Sequence, residues 1–226
     1  MMKYLIVVAH PDDECLCAGA SIWKWVQEGN RVDVCVMCSQ AQARSQRPSD
    51  ENLASDMKRS MSFLGIQNIY EGTFPNIKMN TCPHLELVQF IEKAILASQP
   101  DVVITHHPAD VNDDHHQTSR ACQAAIRLFQ RRTDVKPLTE FWYMECLSAS
   151  DWSLVADGKF DPNTFVEVGE AGVEAKIKAL QMYRDVLRAY PHPRSEAGIK
   201  AQAVVRGGQA GLQYAEAFQS VLRRIC

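Results

Sequence analysis

The stretch Lys3-Tyr4-Leu5-Ile6-Val7-Val8-Ala9-His10-Pro11-Asp12-Asp13-Glu14 decides how the rest of the chain is read. From Tyr4 to Ala9 it is apolar without alternation, which predicts a strand buried on both faces of a parallel sheet. It then turns polar at once, through a proline and three acids. Residues 14–28 follow with Leu16, Ala20, Trp23 and Val26 on one helical face, and Gly29-Asn30 stops that helix.

The same alternation continues outward. Arg31 to Cys38 reads as a second buried strand and Ser39 to Ser49 as a polar loop, after which Ser49 or Asp50 caps a helix running to about Leu64. Asn68-Ile69-Tyr70 is a short strand, Leu85 to Ala97 a helix, and Asp101 to Thr105 another buried strand. After a polar loop, Gln117 to Phe129 reads as a helix, Thr139 to Leu147 and Thr164 to Val168 as strands, and Glu174 to Leu187 and Ile199 to Leu222 as helical patterns. Strands alternating with helices imply right-handed crossovers. The expected fold is an α/β, Rossmann-like three-layer sandwich with a mainly parallel sheet. The chain reads as a single domain over 1–226, with a core of about 1–148 and a C-terminal elaboration of about 149–226.

Composition narrows the function classes. The net charge of -3 is small and the charges are mixed along the chain, so no basic stripe marks a nucleic-acid binder. No apolar run is long enough to span a bilayer, and the first leads into charged residues rather than a cleavage site. A cytoplasmic protein is therefore expected, with its oligomeric state left open to a homo-oligomer. Cys35 and Cys38 form a C-x-x-C pair, but they lie in a buried strand with no second pair at zinc-ribbon spacing, and read as small core hydrophobes.

In a doubly wound sheet, ligands bind beyond the carboxyl ends of the strands where the order reverses, between the first and fourth strands of a 3-2-1-4-5 order. The first strand empties into His10-Pro11-Asp12-Asp13-Glu14 and the fourth into His106-His107-Pro108, followed by Asp110 and Asn112-Asp113-Asp114-His115-His116. A proline and three acids replace the glycine turn of a dinucleotide site and would repel a pyrophosphate. A divalent cation suits the crevice instead. His10 and Asp13 converge across the turn, and His115 or His116 supplies a third ligand, the donor set of catalytic zinc. Iron or cobalt suits similar ligands. Asp12 is placed as general base, and Glu14 opens the helix where its dipole favours an acid. The plainer alternatives are a capped helix start and a solvated polar loop; both clusters falling at neighbouring strand ends weighs against them.

Ala9-His10-Pro11-Asp12-Asp13-Glu14, Thr105-His106-His107-Pro108 and Asn112-Asp113-Asp114-His115 together resemble the signatures of the LmbE-like, or PIG-L, family of zinc-dependent N-acetyl-sugar deacetylases. The resemblance implies His10, Asp13 and His115 as Zn2+ ligands, Asp12 as general base, and Asp114 as a residue orienting a histidine. Asn112 stands where some branches carry a histidine that donates to the oxyanion, and His192, in Pro191-His192-Pro193, is the candidate for the missing acid. Arg44 matches a family arginine that faces the sugar, Asn76 stands where an acid often grips sugar hydroxyls, and Arg194 is suited to an anionic group. The implied reaction is removal of an acetyl group from an N-acetylated amino sugar or conjugate. The alternatives are an amidase cleaving a sugar-thiol conjugate and a non-catalytic sugar-binding protein that retains the metal site.

Overall fold

The computed structural model describes residues 1–40, 49–154 and 158–225. Strands β1 (Lys3–Val8), β2 (Arg31–Val36), β3 (Asn68–Glu71), β4 (Val102–His106), β5 (Glu140–Met144), β6 (Thr164–Glu167) and β7 (Ala215–Arg223) form one sheet in the order β3-β2-β1-β4-β5-β7-β6. The pairs from β3 to β5 are parallel, and β7 runs antiparallel to β5 and β6.

The unbroken apolar run of β1 has a direct cause. Tyr4, Ile6 and Val8 enter one core, under helices α1 (Asp13–Gln27), α2 (Asp50–Leu64), α5 (Gly169–Gln181) and α6 (Glu196–Ala210). Leu5, Val7 and Ala9 enter the other, under α3 (His84–Ser98) and α4 (Asp113–Ala125). A strand covered on both faces has no solvent side on which to place polar residues. The result is three layers with β1 and β4 at the centre. The helix before β3 is capped by Ser49, whose side chain accepts from Asn52 N, rather than by Asp50.

Three expectations are corrected. The helix expected from Gln117 to Phe129 is α4, which begins at Asp113 and ends at Ala125. Asn112 caps it, its Oδ1 accepting from Asp114 N at 3.0 Å, with Asp113 and Asp114 in the favourable first turn. The helix expected from Glu174 is α5, which begins at Gly169 and ends at Gln181. The pattern from Ile199 to Leu222 splits: α6 passes through Gly207-Gly208 and stops at Gly211, whose φ of 72° suits a residue without Cβ, and β7 follows. Ala215-Glu216-Ala217-Phe218 favours helix locally. Pairing on both sides and complete burial of Phe218 override that preference.

The C-terminal segments are welded to the first helix. Trp25 stacks on Tyr4 at 4.2 Å and meets Trp142 and Phe218 at 6.3 and 5.9 Å. Helix α1 is kinked at Ala18, which breaks its hydrogen-bond ladder and exposes new donors. The Glu216 carboxylate of β7 receives them, from Ala20 N at 3.3 Å and Ser21 N at 2.7 Å, and Lys176 Nζ of α5 neutralises it at 2.6 Å. No helix among the described residues is long and apolar enough to cross a membrane.

Candidate metal centre

The ends of β1 and β4 deliver their polar residues to one buried point. His10 Nδ1, His106 Nε2 and His115 Nε2 lie 3.3, 3.4 and 3.2 Å from Asp13 Oδ2. The His10 backbone N–H donates to that oxygen at 2.9 Å, so the turn itself fixes the carboxylate. His10, Asp13 and His115 offer ligand atoms that lie within 4.8 Å of one another, all buried.

The remaining ring nitrogens decide which atoms face the centre. His10 Nε2 is bound to Asp114 Oδ2 at 2.8 Å, leaving Nδ1 inward; His115 Nδ1 is bound to Asp110 Oδ2 at 3.0 Å, leaving Nε2 inward. Carboxylates behind both imidazoles are the arrangement that orients metal-ligating histidines. The residues fit a divalent ion: two nitrogens and one carboxylate oxygen, a catalytic-zinc donor set. The histidine that Asp114 touches is His10, from the other cluster. Asp110 makes the same contact with His115 and went unassigned in the sequence. It lies ahead of α4, five residues before its partner, so only the fold of the loop brings the two together.

Protonation follows the same contacts. Burial opposes ionisation of Asp13, but the charge of His115 and hydrogen bonds from His10 and His115 hold it well below the usual carboxylate range. Burial pushes His115 down, while the Asp13 charge and hydrogen bonds to Asp110 and Asp13 outweigh it and raise it well above the usual value. His106 is held low by burial and by the charge of His115. It accepts the Ala9 N–H on Nε2 at 2.9 Å, so its proton belongs on Nδ1, and its ring stacks on His115 at 3.8 Å. Glu14 is fully buried, accepts from Tyr183 Oη at 2.7 Å, and is raised to about 8 by burial.

The other candidates are placed as follows. Asp12 is buried at the turn, with Arg194 Nη1 3.7 Å from its Oδ2. Arg194 is largely enclosed and also donates to Ser148 Oγ at 2.8 Å. His192, Arg194 and Asn112 line a cleft of about 480 Å3 that reaches His115. With Oδ1 of Asn112 committed to the helix cap, its Nδ2 is the group left for that cleft. Asn76 is buried and donates to the Gln40 carbonyl at 2.9 Å. Arg44 lies outside the described residues. His116 is exposed, its Nδ1 2.8 Å from the Pro108 carbonyl, and is not gathered with the three ligands. Trp152, Arg188 and Ser148 line the cleft and were not singled out in the sequence, where nothing but their position after β5 and α5 distinguishes them.

Backbone strain is concentrated here. Among the described residues, the non-glycine positions with positive φ are Asp12, Ile77, Gln99, Ser148 and Asp185, and the first, second and fourth border the site. Ile77 is held at φ 56° while its N–H donates to Asp114 Oδ2 at 2.5 Å. A β-branched residue there costs about 1–3 kcal/mol and persists where surrounding bonds over-determine it.

The family model described as PIG-L: GlcNAc-PI de-N-acetylase matches residues 5–126, from β1 through α4, and so includes every residue of the centre. The chain belongs to the PIG-L family. No curated protein matches it. Among solved structures, the conserved protein TT1542 from Thermus thermophilus is 22% identical with a TM-score of 0.80, covering 100% of this chain and 97% of that one. N,N'-diacetylchitobiose deacetylase from Pyrococcus horikoshii is 20% identical with a TM-score of 0.77, covering 98% of this chain and 84% of that one. GalB, the 4-carboxy-2-hydroxymuconate hydratase from Pseudomonas putida, is 17% identical with a TM-score of 0.78, covering 100% and 98%. At these identities the likeness is one of fold. PIG-L membership rests on the matched segment, which begins in β1 and carries both ligand clusters.

Proposed function

We propose that this PIG-L protein is a divalent-metal-dependent deacetylase, with zinc as the expected ion, that removes an acetyl group from an N-acetylated amino sugar or sugar conjugate. The observation that carries the reading is the convergence of His10 Nδ1, Asp13 Oδ2 and His115 Nε2, each histidine backed by a buried carboxylate, beside a cleft that His115 lines. A bound divalent ion would supply acidification of water and polarisation of a carbonyl.

The chain's own residues divide the rest of the work. Asp12 takes the proton from the water that attacks the acetamide carbonyl and returns it to the leaving nitrogen, giving acetate and a free amine. His192 accepts the Arg194 N–H on Nδ1 at 3.0 Å, which assigns its proton to Nε2. Burial, then Arg194 and Arg188, hold its pKa low, so it enters the reaction neutral. It is therefore suited to donate a hydrogen bond to the developing oxyanion, with Asn112 Nδ2 as a second donor, and is poorly suited to act as the acid.

The same fold carries a hydratase as well as a deacetylase, so the fold alone does not select the chemistry. The test is detection of free amine and acetate from a panel of N-acetylated sugars and sugar conjugates, with and without chelator. Chelator-sensitive acetate release is the expected result. A metal-loaded protein that releases acetate from no member of the panel contradicts the reading.

A further inference from the structure

Asp12 stands at the N-terminal cap of α1, where an aspartate side chain ordinarily accepts from an N–H of its own helix. Here it makes no such bond. Its backbone is held instead from within the turn, the Asp12 N–H donating to Glu14 Oε2 at 3.1 Å. This is one half of a reciprocal cap, in which a carboxylate of the first turn reaches back to the capping residue's N–H. The half that would engage the Asp12 carboxylate is missing. The peptide so gripped is strained, since Asp12 sits at φ 102°. A strained residue keeps its conformation only where its surroundings over-determine it.

The second oxygen of Glu14 shows what fixes the grip. Glu14 is fully buried, and its Oε1 accepts from Tyr183 Oη at 2.7 Å. Tyr183 is itself buried, follows α5, and lies outside the segment that the family model matches. The chain is pinned to α2 on both sides of it. The Met182 carbonyl accepts from Arg59 Nη2 at 2.9 Å, and the Arg184 N–H donates to the buried Asp56 at 3.1 Å. A continuous path of hydrogen bonds thus runs from α2 through Tyr183 and Glu14 to the Asp12 peptide. Asp13 is fixed separately, by the His10 N–H on its Oδ2 at 2.9 Å.

We propose that Tyr183 is a positioning residue of the reaction: through Glu14 it holds the Asp12 peptide so that the Asp12 carboxylate faces the attacking water rather than its own helix. This rests on the reading of Asp12 as general base of a deacetylase. Without the Tyr183 hydroxyl, Glu14 Oε1 is left buried and lacking its donor, so the carboxylate turns to find another and loosens its hold on Asp12.

The test is Tyr183→Phe, which removes one oxygen and keeps the ring. On an N-acetylated sugar that the metal-loaded wild type hydrolyses, kcat is expected to fall about 10- to 100-fold with KM nearly unchanged, as for a misplaced catalytic group. Zinc affinity, read by competition with a chromophoric chelator, is expected to stay at the wild-type value. Phe218→Leu, a core change in β7, supplies the comparison for lost stability and is expected to keep the wild-type kcat at a temperature where both variants are folded. Wild-type kcat in Tyr183→Phe overturns the proposal, as does an equal loss in Phe218→Leu. A fall in zinc affinity as large as the loss of turnover also overturns it, because the effect then lies on the ligands. A wild type that releases acetate from no sugar fails the deacetylase reading instead, and the positioning is then read from amide hydrogen exchange. Protection lost at the Asp12 N–H but kept at the His10 N–H supports it, and equal protection in wild type and Tyr183→Phe refutes it.

Discussion

At the scale of single residues, the site separates two neighbouring aspartates by geometry. Asp13 Oδ2 is the point on which three histidines converge, whereas Asp12 turns toward Arg194. Asp12 also holds φ 102°, a conformation that aspartate and asparagine tolerate better than alanine, so Asp12→Asn removes the charge with the least added strain. That variant is expected to retain zinc by elemental analysis and to lose at least about 100-fold in acetate release; near-normal turnover would exclude Asp12 as the base. Asp110→Asn tests the hidden partner of His115. A weakening of zinc affinity by about 10–100-fold, read by competition with a chromophoric chelator, is expected from loss of an orienting carboxylate, and unchanged affinity would show that the 3.0 Å contact does not matter. The convergence of His10, Asp13 and His115 was legible in the sequence because His10 and Asp13 share one turn and His115 stands just past the fourth strand. Asp110, Trp152 and Arg188 were not, because their places beside His115 and around the cleft come from loop paths that no periodicity encodes.

At the scale of elements, the C-terminal third holds α1 in place. Glu216 caps the restarted half of that helix beyond the Ala18 kink, and Lys176 balances it, with both side chains nearly buried. Lys176→Met leaves a buried carboxylate without its cation and is expected to destabilise the protein by about 3–5 kcal/mol, measured by chemical denaturation. Adding Glu216→Gln should recover part of the loss. A change below about 1 kcal/mol would mean that the pair is dispensable, as many exposed pairs are. The strands of the parallel core were readable because burial on both faces leaves a continuous aliphatic run, as in Leu5-Ile6-Val7-Val8. β7 was not, since Ala215-Glu216-Ala217 carries helix-forming residues whose strand conformation is imposed by β5 and β6. The early start of α4 was readable in principle: Asn112-Asp113-Asp114 is a cap followed by an acidic first turn, and it brings His115 into the helix's first turn.

At the scale of the whole molecule, the sheet order puts β1 and β4 side by side with their carboxyl ends facing one crevice, and each of the converging His10, Asp13 and His115 follows one of those two strands. The elaboration beyond β5 adds the opposite wall, with Trp152, Arg188, His192 and Arg194 around the cleft. The core thus carries the clustered histidines and Asp13, and the elaboration walls the cleft beside them. The most direct measurement of that account is a zinc titration of chelator-stripped protein, with binding and acetate release from an N-acetylated sugar followed in the same sample. One zinc per chain is expected, with acetate release rising in step with occupancy and both lost in His115→Ala. Acetate release that persists in the stripped protein, or tight zinc binding that survives His115→Ala, would contradict it.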